Sequence, residues 1–374
     1  MDGFEGDGMM AKLGDVATYI NGYAFKPSDW SDTGVPIIRI QDLTGNSYQA
    51  NRYNGEYAKK YEVLPGDVLI SWSASLGVYV WAGEKAVLNQ HIFKVVFDKC
   101  PIDKSFFVHQ VQEVLSKAES SAHGATMKHL TKPVFDALPF YLPSLDEQRR
   151  IAAVLDKVSG LITKRRKQLD KLDELVKARF VEMFSDIKKE DSLINLCNFI
   201  DYRGKTPEKA DHGLPFITAK NVKMHYMSFD TQEFISKETY DKVMTRGFPR
   251  EGDVVFTTEA PLGNVCRIPH IDTEFYIGQR IITMQTKCLK PEYLEYALSS
   301  DKFKEKIESK SSGSTVTGIR SKLLEQLTIP VPPFALQEQF AAFIKQVDKS
   351  KLTIQRSLDK LEVLKKALMQ QYFW

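Results

Sequence analysis

The stretch LDKLDELVKARFVEMF (residues 169–184) returns near the end of the chain as LDKLEVLKKALMQQYF (residues 358–373), identical at eight of sixteen aligned positions with an offset of 189. A segment written twice, half a chain apart, points to a duplication, and repeats decide how the rest of a sequence is read. Matches continue outward. LPGDVLIS answers FPREGDVVFT, aligning Gly66-Asp67 with Gly252-Asp253, and Leu76-Gly77 answers Leu262-Gly263. GVPIIRIQDL (34–43) is similar to GLPFITAKNV (213–222), and LPFYLPSLDEQ (138–148) answers LTIPVPPFALQEQ (327–339). The offset drifts between 179 and 191, as expected where solvated loops gain or lose residues. The chain therefore runs globular half, long helix, globular half, long helix.

The helical segments carry a 4-3 apolar spacing. In the first it falls on Leu155, Val158, Ile162, Leu169, Leu172, Val176 and Met183, with polar Arg165 and Arg179 in the series. In the second it falls on Ile344, Val347, Ile354, Leu358, Leu361, Leu368 and Tyr372, with Lys351 and Lys365. Such a stripe is a coiled-coil seam, and two stripes of equal length bury each other most economically. Two helices packed separately on their own halves is the simpler alternative. The polar seam positions are expected to fix register. Each helix is expected to span about 39 residues, roughly 58 Å, and Gly160 is expected to mark a bend. An antiparallel pair would place a globular half at each end. The expected divisions are 11–142, 143–185, 186–331 and 332–374, with long helices in the second and fourth.

Within the halves, DVLIS, HIFKVVF, VVFT and RIITMQ are short β-branched or aromatic runs bounded by turn formers, which predicts strands. SFFVHQVQEVLSKAES and PEYLEYALSSDKFKEKIESK have helical spacing. The fold class is mixed α/β (α+β): two globular domains separated by two long antiparallel coiled-coil helices.

Composition excludes several classes. The 374 residues suit more than one domain. Cys100, Cys197, Cys266 and Cys288 show no paired spacing, which suits a reducing, cytoplasmic setting. MDGFEGDGMM is acidic and does not read as a secretory leader, and no apolar run approaches the ~20 residues of a membrane helix. The net charge of +3 permits a nucleic-acid partner without demanding one.

Order and repetition of these features resemble the specificity subunit of type I restriction-modification enzymes over residues 11–374. The carriers are the Pro-rich lead-in to each helix followed by Glu147-Gln148 or Glu338-Gln339, a Gly-x-Thr loop before each (124–126, 313–315), the Gly-Asp turns and RGKTP (203–207). The first half departs at RGKTP, where it reads NGYAFKPSD (21–29). The resemblance implies that each half is a target-recognition domain reading half of a split duplex site. It implies that the helical pair sets the spacing and docks two methyltransferase subunits, which bring in the endonuclease/translocase subunits. Methylation and cleavage, with S-adenosylmethionine, ATP and Mg, would belong to those partners.

The chain shows little chemistry of its own. VPPF (331–334) looks like an amino-methyltransferase NPPF motif, but Val331 stands where an Asn or Asp must accept the target amine. Dinucleotide and phosphate loops are absent. Glu251 to Ala260 lacks the lysine of a nuclease triad, and Cys266 with His270 lacks the further ligands a structural zinc needs. Duplex DNA is held by cations and read by groups that donate and accept in the grooves. The first half offers Lys26, Arg39, Gln41, Ser73, Ser75, Gln90, His91, Thr126 and Lys128. The second offers Arg203, Lys205, Thr206, Lys220, Asn221, Thr258, Gln279, Arg280, Thr315 and Arg320. KRRK (164–167) would lie over phosphates, meet an acidic partner or face solvent. A coiled-coil adaptor without DNA specificity is the competing function, and salt-dependent duplex binding separates the two.

Overall fold

A computed structural model describes residues 8–45, 51–73, 75–121, 131–204, 206–310 and 318–373. The chain packs as two units, Met1–Arg166 with Arg356–Trp374, and Lys167–Gln355.

The first unit is built on a four-stranded antiparallel sheet in the order Thr18–Asn21, Ile92–Val96, Val68–Ser71, Gly77–Val80. All four residues of Val68–Ser71 are buried, which is why that strand reads as an unbroken apolar run rather than an alternation. A second sheet, Arg52–Tyr53, Val35–Ile38, Ala86–Leu88, Glu62–Val63, contains one parallel pairing, Val35–Ile38 with Ala86–Leu88. The helix Lys104–Ser121 covers the larger sheet, with Phe106, Phe107, Val111 and Leu115 in the core.

The second unit repeats this plan. Its main sheet runs Cys197–Asp201, Ile281–Thr286, Val254–Thr257, Val265–Arg267, again antiparallel throughout. Its smaller sheet, Phe234–Ile235, Leu214–Ile217, Tyr276–Ile277, keeps the one parallel pairing. A short antiparallel pair precedes each long helix, Met9–Lys12 with Pro139–Leu142 and Glu190–Ser192 with Thr328–Pro330. The Gly-Asp turns match in detail. Gly66 (φ 91°) and Gly252 (φ 84°) take left-handed backbone, which costs a side-chain-bearing residue more than glycine. The following Asp67 and Asp253 each accept a backbone N–H at 2.8 Å, from Leu64 and Arg250.

PEYLEYALSSDKFKEKIESK is helical, as its spacing predicts, but in two pieces. It breaks into Pro291–Ser299 and Asp301–Glu308 at Ser300, whose extended backbone and hydroxyl cap the second helix by accepting the Phe303 N–H at 3.3 Å.

The long helices are Leu145–Phe184 and Phe334–Phe373, 40 residues each. Ile151 and Leu155, at the start of the first, share a core with Met369 and Phe373, at the end of the second. In the other unit Val176 and Phe184 share one with Phe340 and Ile344. The helices are therefore antiparallel. Leu155, Val158, Ile162, Val176, Ile344, Val347 and Leu358 are buried, while Leu169, Leu172, Ile354, Leu361 and Leu368 are half-buried. One polar seam position pairs across the helices: Lys351 donates to Asp173. Arg166 of the KRRK run reaches Glu362 at 2.7 Å. The aromatic ends are covered. Phe373 meets Phe106 at 5.5 Å between ring centres, and Phe184 meets Tyr293 at 4.8 Å. Trp374 lies outside the described residues.

The first helix runs unbroken through Gly160, and a Cβ built there meets nothing within 4 Å. The bend expected at this glycine has no interrupted helical turn to mark it. Gly160→Ala should raise stability by about 1 kcal/mol through helix propensity, read as a higher denaturation midpoint with unchanged slope.

The motif before each helix acquires a mechanism and a corrected alignment. Gln148, buried, accepts the Asp103 N–H at 2.8 Å and donates to the Pro143 carbonyl at 2.9 Å. Gln337, also buried, accepts the Lys290 N–H at 2.9 Å and donates to the Pro332 carbonyl at 2.9 Å. The partner of Gln148 in the repeat is thus Gln337, two residues before the Gln339 that string matching selects. Each glutamine staples the start of a long helix to the globular helix beside it. Gln337→Ala leaves a buried N–H unpaired and should cost about 1–3 kcal/mol, measurable by urea unfolding.

Candidate nucleic-acid interface

In both units the same end of the main sheet gathers the chain's polar loops. In the first, Asn21 pairs with Phe93, and Ser71 pairs with Ile92 and Gly77. The segments leaving this edge carry Tyr23, Trp72, Ser73, Ser75 and the turn Gln90-His91. That turn is the hub. Gln90 N–H donates to the Tyr23 carbonyl at 2.8 Å, Trp72 N–H to the His91 carbonyl at 3.2 Å, and Asn89 N–H to Ile38 at 3.1 Å. The last bond brings the end of the parallel strand pair, and with it Arg39, beside the turn. Trp72 donates its indole N–H to Asn21 Oδ1 at 3.2 Å and stacks on Phe93 at 5.6 Å. His91 takes φ 72°, uncommon outside glycine and frequent where the surrounding structure holds a functional loop in place.

The second unit builds the same edge with charge. Asp201 pairs with Ile282, and Thr257 with Ile281. The hub is Gln279-Arg280: Gly278 N–H donates to the Ile217 carbonyl at 2.8 Å, and Thr258 N–H to the Arg280 carbonyl at 2.9 Å. Arg203 forks onto Asp201, with Nη2 and Nε at 2.9 and 3.0 Å from Oδ2. Ser321 donates its hydroxyl to the same carboxylate. Arg246 Nη1 donates to the carbonyls of Asp201 and Arg203 at 2.8 and 2.9 Å. Arg280 Nε lies 2.9 Å from Glu259 Oε1, and Glu259 bridges to Gly318. Behind this edge, burial pushes the Tyr276 hydroxyl up to about 12 and raises that of Tyr202. Tyr202 thus stays a donor, to the Gly247 carbonyl at 2.6 Å.

The residues singled out from sequence divide by what the fold does with them. Ser75, Gln90, His91, Arg203, Gln279, Arg280 and Arg320 lie on or next to these edges with exposed or half-exposed side chains. Lys26, Thr206 and Lys220 are exposed on neighbouring loops, and Gln41 is half-buried. Arg39 pairs with Asp42 at 3.6 Å and lies 5.9 Å from the Trp30 ring centre. Thr126, Lys128, Lys205 and Thr315, and both Gly-x-Thr loops, lie outside the described residues. Asn221 must be removed from the candidate readers. It is buried, its Oδ1 accepts from Thr218 N–H and Oγ1 at 2.9 and 3.0 Å, and its Nδ2 donates to the carbonyls of Ser228 and Thr231 at 3.0 and 2.8 Å. All its hydrogen-bonding capacity is spent on one turn, as Asp42 spends one oxygen on the Arg39 N–H at 2.8 Å in the first unit. Thr258 is likewise buried and bonds the Arg280 carbonyl, so it shapes the hub rather than reaching outward; Ser73 is buried too.

Trp72, Asn21, Asp201 and Glu259 were not singled out from sequence. For Trp72 a signal existed: an aromatic residue directly after a fully buried strand. Asp201 gave none, and Glu259 drew attention only as part of an incomplete nuclease-like run, because acidic residues look unfavourable for a polyanion until their arginine partners are known. Cys266 is buried with its thiol pushed up to about 12 by burial, while His270 is exposed between Glu251 and Asp272. Among the described residues no group of three or more His, Cys, Asp or Glu is placed to hold a metal, and no helix is long and apolar enough to cross a membrane.

Known proteins share this plan. The family model described as type I restriction modification DNA specificity domain matches twice, at residues 6–172 and 190–365. The chain is 23% identical over 404 residues to the type I restriction enzyme EcoBI specificity subunit of Escherichia coli, covering 96% of this chain and 84% of that one. It is 22% identical over 392 residues to the MjaVIII specificity subunit of Methanocaldococcus jannaschii, covering 97% and 91%. Among solved structures it is similar to the S subunit of a type I restriction-modification system from M. genitalium, with TM-score 0.59, 15% identity and coverage of 100% and 98%. A second, from work on complex assembly and conformational transition of a type I system, gives TM-score 0.55, 18% identity and coverage of 99% and 98%. With two copies of the family domain spanning most of its length, the chain belongs to the type I restriction-modification DNA specificity family.

Proposed function

We propose that this chain is the sequence-reading subunit of a type I restriction-modification complex and carries no catalysis of its own. Each unit reads one half of a split duplex site through the sheet edge described above. The observation that carries this is the recurrence of that edge: a two-residue hub, Gln90-His91 or Gln279-Arg280, flanked by polar loops at the same topological place in both units. A scaffold would have no reason to keep matched donor-rich edges in both halves.

The long helices set the spacing and dock two methyltransferase subunits, which carry S-adenosylmethionine; the endonuclease/translocase subunits, with ATP and Mg, join through that complex. The long helices leave Leu175, Leu352 and Val363 48%, 52% and 70% exposed, apolar side chains that a docked subunit would cover. The test is a genome-wide map of methylated adenines in cells with and without this chain beside its methyltransferase. A split motif appearing only with the chain is expected. Methylation unchanged by its removal, or duplex binding that ignores salt, would sink the reading.

A further inference from the structure

We propose that the second unit recognises guanine, through Arg280 and Arg203, each aimed by an acidic neighbour. This rests on the sequence-reading function above and assigns the chemistry of one half-site. Glu259 engages Arg280 on its Nε side, at 2.9 Å. Asp201 engages Arg203 through Nε and Nη2, at 3.0 and 2.9 Å. For Arg280 this leaves the Nη1–Nη2 end unbonded by any other described residue. Two parallel N–H donors at that end match the O6 and N7 acceptors that guanine alone presents in the major groove. Both arginines sit on the edge that carries the hub, and Arg280 is itself half of the hub.

The carboxylates decide between base and phosphate. A backbone arginine contributes its charge as well as its fork, and a carboxylate at 2.9 Å would offset much of that charge. A fork used for bidentate recognition loses little from a partner on its far side, and gains a fixed direction and a smaller ordering cost. Asp201 is further held by the Ser321 hydroxyl, and the backbone around it by Arg246. The first unit places Gln90-His91 at the corresponding turn, with no guanidinium on it, so the assignment applies to the second unit.

The experiment uses the complete methyltransferase complex, with its target motif first mapped by adenine methylation. Binding is measured to duplexes carrying that target, with each guanine in turn replaced by 7-deazaguanine, which lacks the N7 acceptor. One replacement should weaken the wild-type complex about tenfold or more and leave Arg280→Gln unaffected. Glu259→Gln keeps the arginine without its charged brace and should lose part of that discrimination. Arg280 is 54% exposed, so its substitution does not threaten the fold. The salt slope of Arg280→Gln should match wild type. The proposal is overturned if Arg280→Gln weakens all duplexes equally with a slope reduced by about one, or if neither half-site contains guanine. A wild-type complex without any sequence preference would instead remove the underlying function.

Discussion

Arg267→Ala should destabilise the second unit by about 3–5 kcal/mol, the range seen when one partner of a buried ion pair is removed. Arg267 sits on the edge strand Val265–Arg267, and its Nε lies 2.6 Å from Glu295 Oε2. The Glu295 side chain is 2% exposed, and its other oxygen meets His225 Nδ1 at 2.9 Å. His225 in turn stacks on Tyr296 at 4.3 Å. Arg267 also reaches Asp348, on the second long helix, at 3.2 Å, and Glu292 at 3.6 Å. Burial works against the guanidinium charge, yet the carboxylates of Glu295, Asp348 and Glu292 prevail and raise its pKa. Alanine leaves a carboxylate in the interior with only an imidazole beside it. It also removes a tie between the sheet and the long helix. Urea unfolding should show the midpoint falling with little change in slope. Replacing Arg267 and Glu295 together with methionine should recover most of the loss, since an apolar pair carries no stranded charge. A loss below about 1 kcal/mol for Arg267→Ala would mean that water reaches Glu295 and that the network is peripheral.

Nothing in the sequence announces this network. His225, Arg267, Glu295 and Asp348 share no period and lie on a turn, a strand and two helices. Charged groups become partners only through tertiary placement, and the prior for each is a solvated surface group. The long helices were legible because a seam that must repeat every 3.5 residues leaves a mark in the order of residues themselves. The strands Val68–Ser71 and Val254–Thr257 were legible for a similar reason, since burial on both faces enforces an apolar run. Tyr276–Ile277, two residues long and parallel to Leu214–Ile217, was not, because its pairing is non-local and its length is below any period. Gln337 shows a third case. Text similarity favoured the Glu-Gln pair at 338–339, whereas the fold keeps the glutamine that can staple the Lys290 N–H. At the candidate interface, residue type pointed to Arg280, Gln90 and His91, which the fold leaves exposed or half-exposed on the sheet edges, but also to Asn221, which it buries. An amide suited to reading adenine is equally suited to closing a turn, and only burial distinguishes them.

Deleting one heptad from each long helix, residues 158–164 with 362–368, should alter the DNA spacer and leave both half-sites as they were. Both segments lie within the first unit, where Glu362 pairs with Arg166, two residues past the first of them. Seven residues shorten a helix by about 10 Å, close to three base pairs at 3.4 Å each. The apolar seam stays in phase because seven residues are nearly two turns, with a drift of only about 20°. Removing four residues instead would turn the seam by about 40° and strand Leu155 or Leu368 away from its partners. The proposed readers Gln90, His91, Arg203 and Arg280 all lie outside the deleted segments, so the proposed base contacts are left unchanged. Adenine-methylation mapping of the complex should return the same two half-sites separated by a gap shorter by a few base pairs. The shorter gap must also bring both half-sites into rotational register, so weaker methylation at the new spacing is expected with it. Half-sites that change while the gap persists would show that the helices do not measure the spacing, whatever else they hold in place.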